Sequence, residues 1–440
     1  MQQNSSFDTI VIGAGISGIS AAIESVKQGN QTLLLESTGY IGGRARSFID
    51  EKTGDHIDNG QHAMMGCYDN FLGILKDLGT YDLIKKQKTL SVPFVYANGK
   101  KDILHAASPG PIGMAKGMLK LNAISKKEKW HLILFAARLQ FNMCKPGSMT
   151  ALEFLMSEFQ SEHVIEIVWT PIILATLNGE PEKVSATLFV TVLKLAFFGK
   201  ADASSLLFST VGLSALFEPI IDWMHLRNSE CRVSSPVKEL LIADGIAHGV
   251  LLHDGSVIYA KKIISAITPK AFMRILPEDL INHEYFSAAH DYEFSPIISL
   301  YLWFDIPFPK IDFAAMLHTS TQWVFNKRAI MNIKKETSLL ALTISAGDAI
   351  VQQSTEEIAM HCAGEIKKCF PEMENANLIH WKVIKEKSAT FLASPEMEEK
   401  RLSQKTPIKG LTLAGDWTDT KLPATLEGAA LSGKLAAQMH

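Results

Sequence analysis

The 440-residue sequence predicts an α/β fold, a parallel sheet shaped for a dinucleotide with a second, α+β domain beside it, on three observations. A short apolar run, Thr9 to Ile12, feeds straight into Gly13-Ala14-Gly15-Ile16-Ser17-Gly18. A second run, Gln31 to Leu35, ends in Glu36, and a late one, Leu411 to Leu413, delivers Ala414-Gly415-Asp416 ahead of a helix that starts after Pro423. Short apolar runs bounded by glycine are strands buried on both faces, and a G-x-G-x-x-G turn between such a strand and a helix is the dinucleotide fingerprint of a Rossmann-like fold.

The residue types at each position follow from the chemistry of a pyrophosphate. Gly13 permits the tight turn, Gly15 has no side chain to keep a phosphate off the backbone, and Gly18 lets the helix lie close to the strand. The free amides at the helix start, with the helix dipole behind them, favour an anion, so Ala14, Ile16 and Ser17 belong to the predicted site with the glycines. Glu36, followed by Ser37, stands where a carboxylate accepts hydrogen bonds from the ribose hydroxyls, and its charge would repel a 2′-phosphate. Past it, Gly42-Gly43-Arg44-Ala45 would swing the backbone back toward the pyrophosphate and set guanidinium charge beside it. A glycine turn with solvated arginines is the plainer reading of those four residues alone.

Composition narrows the classes. A formal charge of -3 and a pI near 6.5 argue against general nucleic-acid binding. The length allows two or three domains of ~150 residues. Hydrophobic residues make up 47% and charged ones 20%, slightly greasy for a soluble chain. Cys67, Cys144, Cys231, Cys362 and Cys369 lack metal or C-x-x-C spacing, which predicts reduced thiols in a cytoplasmic protein and no metal site. The first six residues are polar, without the apolar segment of a signal peptide, and the uncharged run from Ala203 to Phe217 is too short to span a bilayer.

Continuing along the chain, His56-Ile57-Asp58-Asn59-Gly60-Gln61-His62 is dense in polar groups and flanked by Ala63-Met64-Met65, as ligand-facing clusters often are. Phe71 to Leu78 is spaced as a helix that stops at Gly79, and Val92 to Tyr96 with Asn98-Gly99 reads as a hairpin. Between residues 112 and 145, seven basic residues stand against Glu128 alone, interleaved with Met114, Trp130, Leu134 and Phe135. That is the composition of an interfacial membrane helix, and equally of a helix with a solvated lysine face. Residues 150 to 225 read as consecutive helices, with apolar faces at Val184 to Phe198 and Leu206 to Phe217 that could line a hydrophobic pocket.

Strands are expected at Val233 to Val237, Leu240 to Ala243, Val250 to Leu252 and Ile258 to Ala266, the last returning to the nucleotide sheet, with Asp244-Gly245 and Asp254-Gly255 as hairpin turns. Pro296 to Phe308 and Ser338 to Ile344 are further strands, and Ser354 to Phe370 a helix. In the terminal segment, Asp416 could accept a ribityl or ribose hydroxyl, while the start of the last helix would direct partial positive charge at a flavin N1 and C2 carbonyl. A nicotinamide enzyme has no need of this second element.

Taken together, the fingerprint, Glu36, the Gly42-Gly43-Arg44 doublet, the strand to Ala266 and the Ala414-Gly415-Asp416 motif resemble the flavin-containing amine oxidase and phytoene desaturase superfamily. Asp58 to His62, Glu386 to Phe391 and Ala414 to Gly433 are similar, within it, to the hydroxysqualene dehydroxylase family; Ser388 and Lys421 depart from that family's arginine and glycine. The resemblance implies non-covalent FAD held by Gly13 to Gly18, Glu36, Ser37, Gly42 to Ala45, Asn59, Gly60, Gln61, Val237, Ala266, Gly415, Asp416, Ala424, Thr425, Leu426 and Glu427.

It further implies a discontinuous FAD domain (1–70, 226–290, 395–440) and a substrate domain (71–225, 291–394). The implied reaction turns hydroxysqualene into squalene for hopanoid synthesis, with an unidentified electron donor to the flavin. His62 is the candidate general acid, oriented by Asp58 and Gln61. An isoprenoid so insoluble makes 112–145 a route to an anionic membrane surface, which would place the protein on the inner face of the cytoplasmic membrane. A carotenoid or phytoene-type desaturase is the nearest alternative, and a non-enzymatic isoprenoid escort on the same scaffold is another.

Overall fold

The first strand, Ser6–Ile12, lies at the centre of a seven-stranded sheet in the computed structural model, which describes residues 6–108 and 110–439. Residues 1–5, most of the polar stretch read above as lacking a signal peptide, lie outside that range. Thr32–Leu35 and Val257–Ser265 flank the first strand, both parallel to it. Glu230–Arg232 extends the sheet beyond Thr32–Leu35.

On the edge away from the first strand, Val257–Ser265 serves two further partners. Its first half pairs antiparallel with Ile246–Leu252, and its last three residues pair parallel with Leu411–Leu413. The segments that make this sheet therefore come from near both ends of the chain and from its middle. Asp244 and Gly245, at φ +51° and +72°, form the left-handed pair that a two-residue hairpin turn requires, and they join Val237–Ala243 to Ile246–Leu252.

The first helix, Ile16–Lys27, and the last, Leu426–Gln438, pack side by side on this sheet. Their approach is set by Gly433, where a Cβ would come within 2.0 Å of the Ser17 carbonyl oxygen, and it is tied by the Ser20 hydroxyl donating to the Ala430 carbonyl at 2.6 Å.

A second seven-stranded sheet runs in the order Leu378–Phe391, Phe294–Phe304, Ser338–Ser345, Trp323–Asn326, Phe313–Leu317, Ser91–Tyr96, Lys101–His105. Its side chains alternate cleanly. Ile298, Leu300, Leu302, Leu340, Leu342 and Ile344 face the helix Thr355–Cys369 and form one core with it. The intervening residues, Tyr301, Trp303, Leu339 and Ala341 among them, face the rest of the molecule and join the largest core. Period-two burial of this kind is what fixes strand register.

Three expectations about local structure are corrected. Leu206–Ser209 is a strand, paired with Met64–Met65 and Ile84–Lys86, because its apolar run is too short for period to separate strand from helix. Val233 to Pro236 is a turn: Ser234 takes φ +50° and the Ser234 and Ser235 amides donate to the Thr38 and Glu36 carbonyls, so the flanking strands are Glu230–Arg232 and Val237–Ala243. The strand expected at Pro296 to Phe308 is Phe294–Phe304.

Across residues 112–145 lie two helices, Pro111–Lys120 and Lys126–Gln140, the second opened by a capping box of Ser125 and Glu128. Met114, Leu121, Ile124, Leu132, Phe135 and Leu139 are core residues. Ile112, Leu119, Trp130, Leu134, Phe141 and Met143 are exposed, Ile112 and Phe141 at 73% each. No helix among the described residues is long and apolar enough to cross a membrane.

Candidate active site

The glycine turn is built as its spacing requires. Gly13 takes φ +96°, and a Cβ there would come 2.8 Å from Ile267. At Gly18 a Cβ would sit 1.7 Å from the Gly13 carbonyl oxygen, so the helix can follow the turn only with hydrogen at that position. Gly15 differs: a Cβ there would meet nothing within 4 Å, and the residue borders a cavity of about 560 Å³. The space that glycine leaves open is on the ligand side.

Gly42 and Gly43 cross directly over this turn. The Gly42 amide donates to the Ala14 carbonyl at 2.9 Å, and a Cβ on Gly43 would lie 3.1 Å from the Gly15 Cα. Gly43, Arg44 and Ala45 then line the cavity with Ile16 and Ser17. Arg44 donates through Nη2 to both carboxylate oxygens of Asp416 at 2.8 Å and through Nη1 to the Ala389 carbonyl. The guanidinium and the carboxylate that follows the Leu411–Leu413 strand thus meet across 372 residues of chain.

Glu36 lines the cavity and is also held by its own loop. One carboxylate oxygen accepts from the Ala14 amide at 2.9 Å, the other from the Thr38 amide and the Ser37 and Thr38 hydroxyls at 2.8 to 3.1 Å. Ala14, Ser37 and Gly18 shape the turn without bordering the cavity. Ala266, Gly415, Asp416, Ala424, Thr425 and Leu426 border it, as do Asn59, Gly60, Gln61 and His62. Thr425 caps the last helix by accepting from the Gly428 amide at 3.1 Å, leaving the helix start directed at the cavity.

Two residues expected to touch the cofactor lie elsewhere. Val237 begins a strand, pairs with Leu252 and is not among the residues that line the cavity. Glu427 points away from the cavity and accepts from the amides of Asn70 and Phe71 and from Asn70 Nδ2 at 2.8 to 3.1 Å. It caps the helix Asp69–Asp77, where a carboxylate is favoured by the free amides.

Asp58 and Gln61 are not arranged to orient His62. Asp58, 2% exposed, accepts from the Ser47 hydroxyl and the Leu213 amide through Oδ1 and from Lys327 Nζ at 2.8 Å through Oδ2. Lys327, 1% exposed, donates also to Gln61 Oε1 at 3.1 Å, and the Gln61 amide turns back to the His62 carbonyl at 3.3 Å. A buried ammonium takes the nearest carboxylate because it has no water to replace it. Burial lowers His62 to about 4, helped by the Arg44 and Lys327 charges against the pull of Asp58. The ring is therefore neutral near pH 7 and acts there as a hydrogen-bonding group, not as a cationic acid.

Next to this ion pair is a second. Asp55 accepts from both terminal nitrogens of Arg328 and from Lys335 and Trp303 Nε1 at 2.6 to 2.8 Å. Burial alone would raise the Asp55 carboxyl, but these donors outweigh it and hold it below the usual carboxylate range. Lys327 and Arg328 carry no signal in the sequence: two basic residues after a short apolar run read as a solvated turn.

The far end of the cavity is apolar. Leu174, Leu206, Phe208, Phe313 and Phe325 line it, with Phe208 5.1 Å and Phe325 6.1 Å from Phe313 between ring centres. One space therefore has a polar end of glycine turn, acids, arginine and helix start, which fits the phosphates, ribose hydroxyls and ring carbonyls of a flavin dinucleotide, and an end suited to hydrocarbon.

Comparisons agree with this geometry. The family model described as flavin containing amine oxidoreductase matches residues 16–439. The chain is 25% identical to 15-cis-phytoene desaturase of Capsicum annuum, over 98% of this chain and 77% of that protein. It is 27% identical to hydroxysqualene dehydroxylase of Sinorhizobium fredii, over 98% of this chain and 97% of that one. Among solved structures, an oxidoreductase from Methanosarcina mazei shares the fold with a TM-score of 0.77 at 16% identity, over 98% of this chain and all of that one.

Proposed function

The chain belongs to the flavin containing amine oxidoreductase family and is an FAD-dependent oxidoreductase, and from that premise we propose that it reductively dehydroxylates hydroxysqualene to squalene. The observation that carries the reading is the single cavity in which the Gly13 turn and the Thr425 helix start share space with Phe208, Phe313 and Phe325. The similarity along nearly the whole length of the Sinorhizobium fredii enzyme supports the choice of substrate.

In this reaction the allylic hydroxyl leaves as water with one proton, and a hydride takes its place on carbon. When bound in its two-electron-reduced form, FAD would supply that hydride, and an electron donor of unidentified chemistry would return the oxidised flavin to that form. The chain's own residues hold the setting. Aromatic faces at Phe208, Phe313 and Phe325 exclude water and stabilise positive charge on the allylic carbon by cation–π attraction. Lys327, fixed on Asp58, holds the Gln61 amide in the cavity wall beside His62. Neutral His62 offers a ring N–H to an oxygen without adding a second cation.

A hydrocarbon substrate requires delivery from a bilayer. The exposed Ile112, Trp130 and Phe141, with the exposed Lys126 and Lys127, support a peripheral contact with anionic lipid at the inner face of the cytoplasmic membrane.

The similarity to 15-cis-phytoene desaturase favours a second reading, oxidation of a polyene in the same cavity. Product analysis separates the two. The proposal expects squalene from hydroxysqualene in the presence of a reductant and no conversion of phytoene with an oxidant; the reverse pattern would sink it.

A further inference from the structure

Glu386 brings a carboxylate to the cavity wall without a partner. The side chain is partly exposed and borders the cavity, its oxygens are not among the atoms sealed from solvent, and it makes no hydrogen bond or ion pair among the described residues. Strand register fixes the side on which it stands. Ile297 pairs directly with Ser345 on one strand and with Glu386 on the other, and all three border the cavity. Directly paired residues project from the same face of a sheet. The adjacent pair points the other way: Ile298 belongs to the core under the helix Thr355–Cys369, and its partner Lys385 donates to the Gln353 carbonyl just ahead of that helix.

The row that holds Glu386 lies between the two ends of the cavity. Two residues beyond Ile297 on the same face is Ser299, set against the segment of Gln61 and His62: a Cβ on Gly60 would come 3.1 Å from its hydroxyl. Ser299, Thr343 and Trp323 form the next row, and Trp323 stands 6.4 Å from Phe313 between ring centres. Toward the polar end, the Glu386 charge reaches the Arg44 guanidinium, whose pKa Asp416 raises most and Glu386 raises further. The other charges around the cavity are matched: Arg44 holds Asp416 at 2.8 Å, Lys327 holds Asp58 at 2.8 Å, and Glu36 accepts from its own loop. A carboxylate left unmatched on a wall where hydrocarbon displaces water gains most by meeting positive charge.

In the dehydroxylation, the C–O bond breaks with its electron pair going to oxygen, which takes a proton from solvent and departs as water. The allylic carbon is left positive until the hydride of bound, reduced FAD closes it. Resting on the function proposed above, we infer that Glu386 is a catalytic carboxylate, set against the positive charge that develops on that carbon. It transfers no proton and forms no bond. Its charge is in place before the hydroxyl leaves, and fixed charge aimed where charge develops lowers a barrier without reorganisation. The same carboxylate makes the cavity a binding site for long-chain isoprenoid cations.

The test is equilibrium binding of two probes to the FAD-loaded protein in nonionic detergent at pH 7, read from perturbation of the flavin absorbance. One is N,N-dimethylfarnesylamine, a cation at that pH, and the other is farnesyl methyl ether, which is neutral. Wild type is expected to bind the ammonium more tightly than the ether. Glu386→Gln is expected to weaken ammonium binding by about 10-fold and to leave ether binding and flavin content unchanged, while Glu386→Asp, which keeps the charge, retains part of the preference. With hydroxysqualene, Glu386→Gln is expected to lower kcat by about 100-fold with little change in KM, the mark of an interaction made only in the transition state. Equal binding of the two probes by wild type, or a Glu386→Gln protein that keeps the ammonium preference, would overturn the inference. If the preference is present and lost in Glu386→Gln but wild type forms no squalene from hydroxysqualene, the proposed reaction falls and the cation site stands.

Discussion

Gly15 and Gly18 sit three residues apart in one turn, and the structure gives them opposite tests. A methyl at Gly18 would collide with the Gly13 carbonyl, whereas one at Gly15 enters open space on the cavity side. Gly18→Ala is therefore expected to prevent folding, and Gly15→Ala to leave apoprotein melting unchanged while flavin content, read at 450 nm, falls sharply. A Gly15→Ala protein with full flavin content would contradict the placement of the pyrophosphate. His62 gives a pH test. Its folded pKa, about 4, lies below the ~6.5 of an unfolded histidine. As pH falls below 6.5 the unfolded chain binds the proton first, so wild type loses stability relative to His62→Gln between pH 6.5 and 4. Above pH 7 the two run parallel. The difference at pH 4 is on the order of 2 kcal/mol once solvent screening is allowed for, measurable by urea unfolding.

Among the elements, those with strong local signals were legible and those defined by their neighbours were not. The strand and helix on either side of the glycine turn, the Asp244-Gly245 hairpin and the capped helix Thr355–Cys369 could be read because turn dihedrals and helix caps are set within a few residues. Leu378–Phe391, the longest strand, was not read as one. It is an edge strand carrying Lys382, Lys385 and Lys387, half-buried or exposed along most of its length, and edge lysines make a strand look like solvated chain. The helices Pro111–Lys120 and Lys126–Gln140 bury one apolar set and expose another. Replacing Lys126, Lys127 and Lys129 with glutamate is expected to reduce binding to anionic liposomes in a flotation assay. Unchanged binding would remove the membrane contact from the account.

In the whole molecule, the cavity draws its walls from both sheets and from near both ends of the described chain, with Arg44 and Asp416 meeting across it. A ligand that spans such a site binds only the folded state, so FAD should raise the melting temperature in a concentration-dependent way, by about 2.7 kcal/mol of stability at a hundredfold excess over its dissociation constant. Melting that does not respond to FAD would mean that the folded cavity does not bind it.

What the sequence determined on its own was the nucleotide turn, the acid after the second strand, the Gly-Asp segment before the last helix and hence the cofactor. Each is a local motif whose residue types are dictated by backbone dihedrals or by a phosphate a few ångströms away. The tertiary structure alone decided that Glu427 caps a helix, that Val237 stands clear of the cavity, that Lys327 takes Asp58 and Gln61, and that Trp323 and Thr343 meet on the cavity wall. These outcomes rest on pairings between adjacent strands or between residues hundreds of positions apart, where burial makes every polar atom take whatever partner packing brings within reach.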